Sequence, residues 1–134
     1  MIYQKSFIGT VERGDIISIE MAGNPVHKVN DGDVIINPIR LPGIVMSSHI
    51  DNDEDIVICM LKRNSPVGRG YHFSTEITPD DKNRLNYVSY ADVRNIRKIH
   101  ASRVIHRVGK VDADTLLEMK KGVMRLYGIN VAWM

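Results

Sequence analysis

From residue 14 to residue 90, turn-forming residues interrupt the chain every few positions. The apolar stretches left between them are short and β-branched, so this part of the sequence can form strands far more readily than helices. Residues 14–21 (GDIISIEM) open with a turn and then place Ile17, Ile19 and Met21 on one face against Ser18 and Glu20 on the other, as in a half-buried strand. Residues 22–38 carry two groups of turn formers, Gly23-Asn24-Pro25 and Asn30-Asp31-Gly32-Asp33, around a short hairpin. Residues 43–48 (GIVMSS), bounded by Pro42, and 55–61 (DIVICML) predict two central strands joined across the acidic turn at 51–55. Beyond Asn64-Ser65-Pro66, Gly68 and Gly70, residues 71–75 and 87–90 predict another hairpin pair. With so many short strands and so little room for crossover helices, the expected fold is mainly β: a small antiparallel barrel rather than a parallel α/β sheet.

Near the C-terminus the period changes. Asp112 is placed to cap a helix whose apolar positions, Leu116, Leu117, Met119, Val123, Met124 and Tyr127, recur at helical spacing, with Gly128 as its stop. The helix is expected to cover the barrel, and Gly122 in its middle marks a close approach to a neighbour. The apolar end of the chain, with Val131, Trp133 and Met134, either returns to the core or serves an interface.

A chain of 134 residues, 43% of them hydrophobic, is expected to form one domain, residues 1–134, and to bury its core without disulfides or a structural metal. The one cysteine, Cys59, has no internal partner and reads as a small buried hydrophobe, which fits a reducing, cytoplasmic compartment. The N-terminus lacks the layout of a signal peptide, and no window reaches the roughly 18 apolar residues of a membrane span. Net charge is only +2. Its distribution is more informative: Arg94, Arg97, Lys98, Arg103, Arg107 and Lys110 share one stretch with His100 and His106 and no Asp or Glu. Such a stretch is either a solvated basic face or a surface for a polyanion.

Phosphate-binding glycine loops, zinc-ligand spacings and the GxSxG nucleophile pattern are absent, and the five histidines are scattered singly, so neither a metal site nor a cofactor is expected. The ordered set of remaining motifs is more specific. Arg13-Gly14-Asp15-Ile16-Ile17 ahead of a strand resembles the RGDIV opening of the MazF/PemK family of toxin endoribonucleases. Arg40-Leu41-Pro42-Gly43-Ile44-Val45-Met46-Ser47 is similar to that family's RP-hydrophobic-S segment, and residues 56–61 to its third strand. Ile96-Arg97-Lys98-Ile99-His100-Ala101-Ser102-Arg103-Val104, then Val108-Gly109-Lys110-Val111 and a Leu- and Met-rich helix, follow the family's order and spacing through about residue 129.

The resemblance implies an SH3-like barrel with a covering helix, a homodimer, a cognate antitoxin as partner and metal-independent cleavage of single-stranded RNA by its own 2′-hydroxyl. Carried over by position, Arg40 is the residue for phosphate stabilisation, its alternative role being a loop ion pair with Asp31 or Asp33. Lys62 stands where the family has a threonine that assists catalysis, and the family's Arg-Pro pair is Arg40-Leu41-Pro42 here. Ser47 is a further catalytic candidate, with Ser48 and His49 beside it. Arg13, Arg63, Arg69 and His72 are candidates for RNA contact, with Tyr71 and Phe73 offering faces for stacking. The departures at Lys62 and Arg40 leave a second reading open, a barrel that binds nucleic acid or protein without turnover.

Overall fold

The computed structural model describes residues 11–21, 25–28, 34–36, 39–47 and 55–129, with the backbone only at 25–28, 34–36 and 69. The strands, in chain order, are β1 (Asp15–Met21), β2 (Pro25–Lys28), β3 (Val34–Ile36), β4 (Ile39–Val45), β5 (Asp55–Lys62), β6 (Ser74–Ile77), β7 (Ser89–His100) and β8 (Val104–Lys110), followed by helix α1 (Ala113–Leu126). Short 3-10 turns at Gly68–His72 and Ala101–Arg103 precede β6 and β8. Six strands form one antiparallel sheet in the order β6-β7-β5-β4-β1-β8, and β2 pairs with β3 as a separate hairpin. Mainly β architecture with a C-terminal helix is therefore what the chain adopts.

The connection from β7 to β8 shows that the sheet must curl. Three strands lie between these two in the sheet, which in a flat sheet would separate them by about 19 Å. The step from His100 to Val104 spans at most about 14 Å of extended chain. A rolled sheet resolves the mismatch, and the core agrees: Ile99 of β7 and Val104 of β8 share one cluster with Ile17, Ile19, Val45, Ile56, Ile58 and Met60. The opposite face holds a second cluster, Ile16, Ile44, Cys59, Leu61, Ala91, Val93 and Met119, closed by α1. Alternate residues of β5 thus enter different cores, which is why residues 56–61 read as an unbroken apolar run.

Asp112 caps α1 as expected, its Oδ1 accepting the Thr115 N–H at 2.8 Å. That bond to the ionised form holds its carboxyl below the usual carboxylate range. The covering face is narrower than the periodicity suggested: Leu116, Met119 and Val123 pack inward, while Leu117 and Tyr127 are exposed. Gly122 makes the close approach, since a Cβ there would lie 3.2 Å from Val93 Cγ2.

Three other expectations change. β4 begins at Ile39 and passes through Pro42 rather than starting after it; its ladder to β5 starts only at Gly43, so the missing proline N–H breaks no bond on that side. Tyr71 and His72 lie in a 3-10 turn, leaving β6 to start at Ser74. β7 runs on through Ile96 to His100, much longer than the predicted 87–90 piece. Ser48, His49, Asp31, Asp33 and the tail with Val131, Trp133 and Met134 lie outside the described residues. Among the described residues no helix is long and apolar enough to cross a membrane.

Cys59 is fully buried, and burial together with the nearby Asp92 charge pushes its thiol up to about 12. The neutral thiol therefore persists across physiological pH. A thiol reagent is expected to leave the native protein unlabelled and to react once per chain after unfolding in denaturant, read by mass spectrometry; fast native labelling would contradict this burial.

Candidate nucleic-acid interface

Because β4 joins β5 only from Gly43 onward, the first residues of β4 and the last of β5 part from each other, and a cleft of about 450 Å³ opens between them. Arg40, Leu41 and Pro42 form one wall, Leu61, Lys62 and Arg63 another, and Arg84, Leu85, Asn86 and Tyr87 of the loop before β7 a third. Four cations therefore face one cleft: Arg40, Lys62, Arg63 and Arg84. No carboxylate lines it, and among the described residues none of the four forms an ion pair. All four side chains are exposed. Such a surface draws a polyanion and donates charge-assisted hydrogen bonds to it.

The cleft also offers an aromatic face. The Arg63 guanidinium lies 4.0 Å from the centroid of the Tyr87 ring, which holds an otherwise mobile side chain over the ring. Tyr87 is about half exposed. An arginine plane on an aromatic ring makes a platform on which a base can stack.

Lys62 also borders a neighbouring depression with Ser65, Tyr90, Asp92 and Arg94. There Arg94 is neutralised by a carboxylate. Arg94 Nη2 is 2.6 Å from Asp92 Oδ2, and hydrogen bonds from Arg94 hold the Asp92 carboxyl below the usual carboxylate range, with the Lys62 charge adding to the effect.

Of the residues marked in the sequence, Arg40, Lys62 and Arg63 come together here, while Ser47, Arg13 and His72 lie elsewhere. Ser47 follows the opposite end of β4 from Arg40, and its Oγ accepts the Val57 N–H at 3.2 Å. Arg13 donates from Nε to the Met46 carbonyl at 3.1 Å, beside an apolar depression against α1. His72 is exposed in the 3-10 turn, where its carbonyl accepts from Arg125. Arg69 is described by its backbone in the same turn. The rest of the Arg13 motif shapes the chain: Gly14 has φ +93, and buried Asp15 accepts the Glu12 N–H at 2.9 Å.

The basic stretch from Arg94 to Lys110 is largely paired with carboxylates, three of them distant in the chain and one two residues away. Arg94 meets Asp92, Lys98 meets Asp55, Arg107 meets Asp15 and Lys110 meets Glu12. Arg84, Asn86 and Tyr87 are the cleft residues that sequence reasoning missed, because the loop carrying them is far from Arg40 in the chain and contains no motif.

The sequence profile of the PemK-like, MazF-like toxins of type II toxin–antitoxin systems matches residues 12–127. A search of curated proteins by sequence finds no match. Among solved structures the chain is similar to an endoribonuclease from a mycobacterial species, with TM-score 0.64 and 14% identity over 92% of this chain and 96% of that one. It is also similar to MazF in a MazE–MazF complex from Deinococcus radiodurans, with TM-score 0.57 and 16% identity over 90% and 98% of the two chains. A third similar structure is Mycobacterium tuberculosis toxin MazF-mt6, with TM-score 0.58 and 12% identity over 88% and 99%. At these identities the likeness is one of fold.

Proposed function

The chain belongs to the PemK-like, MazF-like toxin family of type II toxin–antitoxin systems, and from that premise we propose that it is an endoribonuclease cutting single-stranded RNA in the cleft between β4 and β5. The observation that carries this reading is the convergence of Arg40, Lys62, Arg63 and Arg84 on one carboxylate-free cleft. In the proposed reaction the RNA 2′-oxygen bonds to the adjacent phosphorus and the bond from phosphorus to the 5′-oxygen breaks. The 2′-hydroxyl loses its proton, the departing 5′-oxygen gains one, and a 2′,3′-cyclic phosphate remains. Extra negative charge gathers on the phosphoryl oxygens along the way, and the Arg40 guanidinium supplies paired donors to them. Lys62 adds a second cation where the family's threonine would bring a hydroxyl. The Arg63–Tyr87 platform stacks a neighbouring base.

The partners proposed with this activity are a cognate antitoxin that occupies the cleft, as suggested by the MazE–MazF complex among the similar structures, and a second copy of the chain. A cytoplasmic location accompanies this reading. The replacement at Lys62 favours a second reading, RNA binding without turnover.

One experiment separates the two. Purified protein incubated with long single-stranded RNA in excess chelator is expected to give discrete cuts with cyclic-phosphate ends. RNA binding without new ends would establish the second reading, and neither binding nor cleavage would overturn both.

A further inference from the structure

Arg84 is the one described residue other than glycine with a left-handed backbone, at φ +55. An arginine gains nothing locally from that conformation; glycine adopts it at no steric cost. The surrounding loop imposes it. Asn83 is buried, its Oδ1 accepting from the Asp80 and Leu85 N–H groups and its Nδ2 donating to the Thr78 carbonyl. Asp80 Oδ1 in turn accepts from the N–H groups of Lys82 and Asn83. The Lys82 carbonyl is bound by the Lys110 N–H at 3.1 Å, which ties the loop to β8. The backbone that presents Arg84 is therefore fixed before any ligand arrives.

Arg84 also stands where two cavities meet. It lines the cleft described above and a second, polar depression of about 340 Å³ with Asp15, Lys82, Arg107 and Lys110. Arg107 and Lys110 are drawn toward Asp15 and Glu12, whereas Lys82 and Arg84 have no ion pair among the described residues. The unneutralised charge is thus concentrated at the junction.

Building on the reading of the cleft as an RNA site, we propose that Arg84 binds the phosphate of a nucleotide flanking the one cleaved, and that the depression behind it is the subsite through which the strand continues. The strained backbone is retained because it aims a cation at that junction, and the rigid loop lowers the cost of ordering it on binding.

The test uses binding, so that it does not depend on turnover. The probe is a uniformly 2′-O-methylated single-stranded RNA, titrated by fluorescence anisotropy across a salt series against wild type, Arg84→Gly, Arg84→Lys and Arg40→Ala. Arg84→Gly relaxes the left-handed backbone and removes the charge together. Its Tm is expected to equal or exceed that of wild type while affinity falls about tenfold at low salt. The slope of log affinity against log salt should flatten by about 0.7, the share of one phosphate contact on a single strand. Arg84→Lys should restore that slope. Unchanged affinity and slope in Arg84→Gly would overturn the proposal, as would a fall in Tm with the slope intact, which would mark Arg84 as structural. If wild type binds and Arg40→Ala weakens it while Arg84→Gly does not, the cleft reading stands and the role of Arg84 falls. If wild type does not bind at all, both fall.

Discussion

Arg40→Ala is expected to lower RNA cleavage by about a hundredfold to a thousandfold, the range seen when one preorganised donor to a developing oxyanion is removed. The Arg40 guanidinium stands near the start of β4 on the wall of the cleft, opposite Lys62 and Arg63; Glu20 faces it across the β1–β4 ladder, yet among the described residues no carboxylate forms an ion pair with it. Substituting an exposed side chain of this kind leaves the core untouched, so Tm should stay within a degree or two. The loss is expected mainly in single-turnover rate at saturating RNA, because phosphoryl charge grows between ground state and transition state. Lys62→Ala should cost less, since an ammonium makes single rather than paired contacts to phosphate. Retention of more than about a tenth of the wild-type rate by Arg40→Ala would remove Arg40 from the chemistry.

The sequence showed the strands better than it showed the site. Alternation in β1 and the β-branched runs of β4 and β5 are local signals, and each became a strand because sheet pairing reinforced what the side chains already favoured. The cap at Asp112 and the close approach at Gly122 were legible for the same reason. Pro42 misled: proline argues against a central strand, and it is accommodated only because the β5 ladder begins one residue later. That interruption also opens the cleft, so the strand boundary that sequence misplaced lies at the mouth of the site.

Residues that line the cleft were legible where position within a family pattern singled them out, as with Arg40, and illegible where three-dimensional neighbourhood decides. The stretch from Arg94 to Lys110 contains no acid, yet the register of β1 against β8 brings Asp15 and Glu12 to it from the other end of the chain. Arg84 and Tyr87 carried no signal at all until the loop folded against β8. Charge along a sequence and charge on a surface differ most in a rolled sheet, where chain-distant strands become neighbours.

Among the described glycines, Gly109→Ala is expected to be the most damaging single-methyl change. Gly109 sits in β8 opposite Ile16, and a Cβ there would fall inside the backbone carbonyl groups of Lys82 and Asn83. Those atoms cannot step aside as a flexible side chain would, because Asn83 is pinned by its own hydrogen bonds and Lys82 by Lys110. Either β8 or the loop must move, at a cost of about 3 kcal/mol or more. For a chain of this size that lowers Tm by roughly 10 °C. Gly128→Ala is the informative contrast. Its φ is +73 but a Cβ there meets nothing within 4 Å, so only conformational strain of about 1 kcal/mol is added. Since the displaced loop carries Arg84 and Tyr87, Gly109→Ala should also weaken RNA binding well below its unfolding temperature, which Gly128→Ala should not. Calorimetry and RNA titration of the two variants at 20 °C below each Tm check both halves; equal Tm values would mean that the loop is held to β8 far more loosely than its hydrogen bonds require.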